Sequence, residues 1–227
     1  MAACNLPLAF SAGADVDWAA MESLRIRPGN WLGPLDLARE FGREPSDGLE
    51  VDVGCGRGRF LLARAAMFPE RLFLGIERLL PRLDQADRKA CVAGLANIRF
   101  LYADAEYAIR YLLPPGTVAA FYVLFNDPWP KRRHRRRRMF SAVFAAAARR
   151  ALRPGGLLHV ATDHCLYFEE IRRLFGAQRG FAECEPFIPT EQERTDYELA
   201  FLREARRIYR CSYRKTHSEG DPDDDAH

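Results

Sequence analysis

The chain has 227 residues, with 34 Lys and Arg against 31 Asp and Glu. Its 48% apolar share suits a packed globular domain, no apolar run of about eighteen residues is present to span a bilayer, and the six scattered cysteines lack CxxC or Cys/His spacing for a metal site. Without the last ten residues, which carry five acids and no Lys or Arg, the balance is 34 basic against 26 acidic, or +8, which favours an anionic partner.

Residues 1–30 lack periodicity and read as an N-terminal arm. Leu6 to Phe10 is too short for a signal-peptide core, so the cytoplasm is the expected compartment. Pro34 to Phe41 reads as a short helix. Leu49–Val53 is a strand, Arg59–Met67 a helix, Leu72–Ile76 a strand, and Pro81–Val92 a helix opened by its proline. Ile98–Tyr102 is a strand and Ala105–Leu113 a helix closed by Pro114-Pro115-Gly116. Val118–Phe125 is almost wholly apolar, as a central strand covered on both faces should be. Met139–Leu152 is a helix stopped by Pro154-Gly155-Gly156, Leu157–Thr162 a strand, Leu166–Phe175 a helix, and Arg207–Arg214 a late strand. This alternation predicts an α/β fold: a single Rossmann-like, doubly wound sheet, mainly parallel, over residues 31–216. Residues 217–227 read as a disordered acidic tail.

The first strand runs into Asp52-Val53-Gly54-Cys55-Gly56-Arg57-Gly58. Glycines between a strand and a helix allow a sharp turn and close approach to a ligand. The spacing G-x-G-x-G differs from the dinucleotide fingerprint, and Asp52 beside it would repel a pyrophosphate. S-adenosylmethionine, with a sulfonium, an ammonium and no phosphate, is the ligand that fits. Glu77 at the second strand's end is placed to accept from ribose hydroxyls, and Asp104 after the third to accept from an adenine amino group. Each acid alone is equally a helix cap; the ordered set of three points to a cofactor.

After the fourth strand comes Phe125-Asn126-Asp127-Pro128-Trp129-Pro130, then seven Lys or Arg among the eight residues 131–138. The prolines stiffen the loop, Asp127 sits at the strand edge, and Trp129 is either a core residue or a platform for a base. Like charges so dense are better matched by nucleic-acid phosphates than by water.

This stretch resembles the tRNA (guanine-N7-)-methyltransferases, a family of class I S-adenosylmethionine-dependent enzymes. The resemblance is carried by Asp127-Pro128-Trp129, Lys131, Arg133-His134, Arg137-Arg138, Ala161-Thr162-Asp163, Thr195-Asp196-Tyr197-Glu198 and Arg206 to Arg210. It implies a seven-stranded sheet with one late antiparallel strand and methyl transfer to N7 of guanine 46 in the tRNA variable loop. An acid near the methylated ring would favour the product cation, and Asp127 is expected to be that catalytic group and to help seat the cofactor with Asp52, Gly54, Gly56, Glu77 and Asp104. Lys131, Asp163, Thr195, Asp196, Tyr197 and Glu198 would bind the substrate, and Arg133, His134, Arg137 and Arg138 the tRNA backbone. The expected partner is tRNA, with no metal and no membrane, and a monomer or homodimer is expected. The family's proline before the acid is Asn126 here, and N-D-P-W loosely resembles the Asn-Pro-Pro-Tyr loop of amino-methyltransferases that act on exocyclic amines. A non-catalytic RNA-binding protein on the same fold is the rival from another class.

Overall fold

The computed structural model describes residues 22–129 and 138–216. Within them run β1 (Arg25–Ile26), α1 (Leu37–Phe41), β2 (Leu49–Val53), α2 (Arg59–Met67), β3 (Leu72–Glu77), α3 (Leu80–Val92), β4 (Ile98–Tyr102) and α4 (Ala105–Tyr107). The chain continues from α4 as a π-helical turn, Ala108–Leu112, into β5 (Val118–Leu124), α5 (Ala142–Ala151), β6 (Leu152–Thr162), α6 (Cys165–Gly176), β7 (Phe181–Cys184), α7 (Asp196–Arg203) and β8 (Tyr209–Lys215).

The strands form one sheet in the order β1-β4-β3-β2-β5-β6-β8-β7. β8 runs antiparallel to both its neighbours, and the other pairings are parallel. The single late antiparallel strand is therefore as expected. The strand number is eight rather than seven, because Arg25–Ile26 adds a two-residue edge beside β4. That edge is held from a distance: the Ser23 hydroxyl and the Leu24 N–H donate to the Asp87 carboxylate of α3 at 2.7 and 2.8 Å.

Of the boundaries that differ from expectation, two have clear local reasons. α5 begins at Ala142, not Met139, because the Ser141 hydroxyl accepts from the Phe144 N–H at 3.1 Å and caps the helix. β6 begins at Leu152, which pairs with Val118, and the Pro154-Gly155-Gly156 stretch is absorbed as an irregularity within the strand.

All five residues of β2 are buried, the polar Glu50 and Asp52 included. Alternation sends Leu49, Val51 and Val53 into the large core, while Glu50 turns toward α2. There it accepts from Arg64 at 2.9 Å, Arg71 at 2.8 Å and the Tyr122 hydroxyl at 2.9 Å. Arg64 reaches on to Glu193 at 2.5 Å, among the rings of Phe60, Phe68, Tyr122 and Phe187. Glu193 in turn accepts from the Thr190 N–H and hydroxyl at 2.9 and 2.8 Å. These bonds fasten the segment before α7 to the central strands and carry α7 to the sheet's C-terminal edge.

Candidate active site

Five neighbouring parallel strands, in the spatial order β4, β3, β2, β5, β6, each bring an acid to the same edge of the sheet. In that order they are Asp104, Glu77, Asp52, Asp127 and Asp163. Open α/β sheets bind ligands at this edge, and β2 and β5 flank the point where the winding reverses.

A cavity of about 310 Å³ opens there, lined by Asp52, Gly54, Gly56, Leu124 and the start of α7, Thr195 to Tyr197. Gly54 and Gly56 have φ of +82° and +55°, and a Cβ added to either would meet nothing within 4 Å. The turn thus needs glycine for its backbone, and open space lies beside both. Gly58, by contrast, is a packing glycine: its added Cβ would lie 2.8 Å from the Ala86 Cβ.

Asp52 is 4% exposed and has no hydrogen-bonding partner among the described residues. Burial, reinforced by the Glu77 charge, pushes its carboxyl up to about 8. A buried acid so raised at a cleft wall fits a cationic ligand, whose charge would restore the carboxylate. Glu77 is already engaged, its Oε1 accepting from the Arg78 and Leu79 N–H groups at 2.8 and 2.9 Å and its Oε2 from Gly56 at 3.0 Å. A carboxylate has about four acceptor positions, so one ribose hydroxyl is accommodated rather than two. Asp104 caps α4 by accepting from the Tyr107 N–H at 3.1 Å, as its helix-cap reading anticipates, and its side chain remains exposed. These residues fit S-adenosylmethionine.

Asp127 is exposed on a constrained loop. Phe125 and Trp129 both adopt the left-handed region, at φ +58° and +40°, which costs on the order of 1–3 kcal/mol each for residues with side chains. The Phe125 N–H bonds to the Ala161 carbonyl at 2.8 Å, and its ring meets Phe201 of α7 edge-on at 5.5 Å. Asn126 turns inward, donating from its amide to the Tyr167 hydroxyl at 3.0 Å, while its Oδ1 is buried without a hydrogen-bond partner among the described residues.

The other expected site residues divide. Lys131, Arg133, His134 and Arg137 lie outside the described residues. Arg138 faces inward: its guanidinium donates to the Pro128 carbonyl at 2.8 Å, to that of Trp129 at 3.1 Å, and to Glu170. It braces the acid-bearing loop instead of facing out toward a phosphate. Thr195 caps α7, accepting from the Glu198 N–H at 3.0 Å, while Asp196 and Tyr197 are exposed at the cleft. Glu198 is buried and paired with Arg210; burial raises its carboxyl, against the pull of Arg210 and Arg194. Asp163 is paired with Arg206.

Sequence reasoning missed three cleft residues, Arg57, Arg59 and Arg82. Arg59 ties α2 to α7, donating to the Arg194 carbonyl at 2.9 Å and lying 4.0 Å from the Asp196 carboxylate. The available signal was a basic residue soon after each ligand loop, in G-C-G-R-G-R and in E-R-L-L-P-R. Among the described residues no cluster of three or more metal-ligating side chains occurs, and no helix is long and apolar enough to cross a membrane.

The sheet order and the cleft define a class I S-adenosylmethionine-dependent methyltransferase. Solved structures agree on the fold: the 16S rRNA methyltransferase KamB superposes with a TM-score of 0.61 at 20% identity, covering 82% of this chain and 94% of that one. TrmN from Thermus thermophilus gives 0.52 at 20% identity, covering 80% and 47%. Residues 47–211 match a family model described as "Putative methyltransferase". The tRNA (guanine-N(7)-)-methyltransferase of Alkalilimnicola ehrlichii is 36% identical over 191 residues, 82% of this chain and 80% of its own. That of Nitrosococcus oceani is 34% identical over 200 residues, 87% and 84%. The chain belongs to the tRNA (guanine-N(7)-)-methyltransferase family.

Proposed function

We propose that this protein transfers the methyl group of S-adenosylmethionine to N7 of a guanine in tRNA, with guanine 46 of the variable loop as the target that family resemblance implies. The observation that carries the reading is the row of five strand-end acids around an open glycine turn, with Asp127 on a stiffened loop after β5. When bound, the cofactor supplies an electrophilic methyl on a cationic sulfur. Asp52 lies at the cleft wall to meet a positive charge, and Glu77 retains one acceptor position for a ribose hydroxyl.

Guanine N7 presents an in-plane lone pair and has no proton to lose, so an in-line displacement requires no general base. The protein's task is to position the ring and stabilise the positive charge that moves onto it. Alignment supplies several kcal/mol, up to about 7–11 for the best-oriented reactions. Asp127, held between two left-handed residues, sets a negative charge toward the developing purinium, worth on the order of 3 kcal/mol. Asp163, Asp196 and Tyr197 flank the base, and Lys131, Arg133, His134 and Arg137 engage the tRNA. Glu198 and Arg138 act as braces, one for the start of α7 and one for the Asp127 loop. The inward-facing amide of Asn126 weighs against amino-methyltransferase chemistry, which needs that group at the loop's tip.

The test is incubation with unmodified tRNA and labelled cofactor, followed by nucleoside analysis. The expected product is 7-methylguanosine. N6-methyladenosine would select the amino-methyltransferase reading, and RNA binding without any modified nucleoside would select the non-catalytic one.

A further inference from the structure

The cleft wall built by α2 and α3 is strongly basic. Arg57, in the glycine turn, and Arg82, in the first turn of α3, line the cavity, and neither guanidinium has a hydrogen bond or ion pair among the described residues. Arg59 lines it too; its Nε donates to the Arg194 carbonyl at 2.9 Å, and the one carboxylate near it among the described residues is that of Asp196 at 4.0 Å, both side chains part exposed. Lys89 lies behind them, its ammonium 3.3 Å from the Arg57 carbonyl. Burial lowers the Lys89 ammonium's affinity for its proton, Asp196 opposes this, and Arg57 and Arg59 add to it. α2 itself is entered from Gly58 with no side-chain cap and no acid in its first turn, so its N-terminal partial positive charge is not offset by its own residues.

Three arginines line this cavity with Lys89 behind them, against Asp196 and the buried, charge-averse Asp52, and cations so placed repel one another unless an anion joins them. The cofactor is a poor match: it carries two cationic centres and one carboxylate, so it adds positive charge to this wall. A phosphodiester is a better match, since guanidinium forks bind its oxygens in pairs.

We propose that Arg57, Arg59 and Arg82 form an anion subsite on the α2–α3 wall that takes a backbone phosphate of the RNA substrate close to the target nucleotide. The subsite rests on the reading of tRNA as substrate. It gives these arginines the task of seating the RNA over the cofactor, on elements separate from the basic stretch that follows β5.

The test uses the full chain with Arg57→Gln and Arg82→Gln combined. Unmodified tRNA binding is measured from 50 to 200 mM salt with S-adenosylhomocysteine saturating, and S-adenosylhomocysteine affinity is measured separately by calorimetry. The double variant should bind tRNA about tenfold more weakly at low salt, with the slope of log K against log salt smaller by about 1. Its S-adenosylhomocysteine affinity should stay within about threefold of wild type, and Arg57→Lys with Arg82→Lys should recover most of the slope. A tenfold loss of S-adenosylhomocysteine affinity with an unchanged tRNA slope would overturn the proposal, assigning the arginines to the cofactor's carboxylate. No change in either would show them to be solvated. Arginine-dependent tRNA binding without 7-methylguanosine would sink the proposed reaction and keep the subsite; 7-methylguanosine with an unmoved slope would do the reverse.

Discussion

Asp52→Asn should abolish a proton release that accompanies cofactor binding. In the ligand-free protein burial, with Glu77 adding to it, holds the Asp52 carboxyl at about 8. At pH 7 only about a tenth of the molecules then carry it ionised. A cationic ligand that returns the group below about 6 therefore releases about 0.9 proton per cofactor at pH 7, and about 0.5 at pH 8. Cofactor affinity should rise about fiftyfold between pH 6 and 8 and less than twofold above that. Calorimetry in buffers of different ionisation enthalpy reads the proton count directly, and the Asn variant also accounts for any proton carried by the cofactor's amine. The same group acts on stability. Its folded value lies above the ordinary carboxyl value of 3.8, so the ligand-free fold loses about 1.4 kcal/mol per pH unit as pH rises from there toward 8. Asp52→Asn should thus be the more stable protein at pH 8, in the absence of cofactor. A wild-type protein that releases no proton on binding at pH 7 refutes this account of Asp52.

Asp127→Ala should lower turnover about a hundredfold or more while cofactor affinity stays within about threefold, because its charge acts on the transition state; near-normal turnover removes Asp127 from the mechanism. Arg64→Met should destabilise by about 3–5 kcal/mol, read as a lower urea midpoint, because it leaves Glu50 and Glu193 buried without their shared cation. Burial, with the Arg64 charge second, depresses His159 to about 4. The stability tied to its neutral form is therefore complete above 6.5 and is lost as pH falls toward 4, by up to about 3 kcal/mol. His159→Gln should flatten that limb of the thermal-melting profile, and an unchanged profile would show that another group drives it. Gly75→Ala should cost about 1–3 kcal/mol in chemical denaturation, since its Cβ would fall 2.8 Å from the Cys55 Sγ and 2.9 Å from Leu61 Cδ2; a neutral effect would mean the layer under the glycine turn yields easily.

What the sequence made legible was whatever is decided within a few residues. Leu49–Val53, Arg59–Met67 and Ile98–Tyr102 form over the spans their apolar patterns predict, because glycine, proline and periodicity mark both ends. The acids at the strand edges were legible for the same reason, since the end of a strand is a local property. β7 was not: Phe181–Cys184 is a partly exposed edge strand without alternation, and it exists because β8 is there to pair with it. α7 was recognisable only as a motif, and its place over the cleft depends on Glu193 meeting Arg64, 129 residues away.

Arginines show this limit most clearly. A long flexible side chain takes whichever partner the finished fold brings near, so neighbours in sequence say little about its role. Arg138 ends a run of like charges and reads as a phosphate contact, yet the fold gives it Glu170 and two loop carbonyls. Arg57 sits inside a glycine turn where the sequence singles out only its neighbours, yet the fold leaves its guanidinium at the cleft without a partner among the described residues. Arg138 directs its donors into the loop, whereas those of Arg57 remain at the cleft. Substrate recognition in this protein is therefore to be sought in charges the fold leaves uncompensated at the sheet edge as well as in the basic run that follows β5.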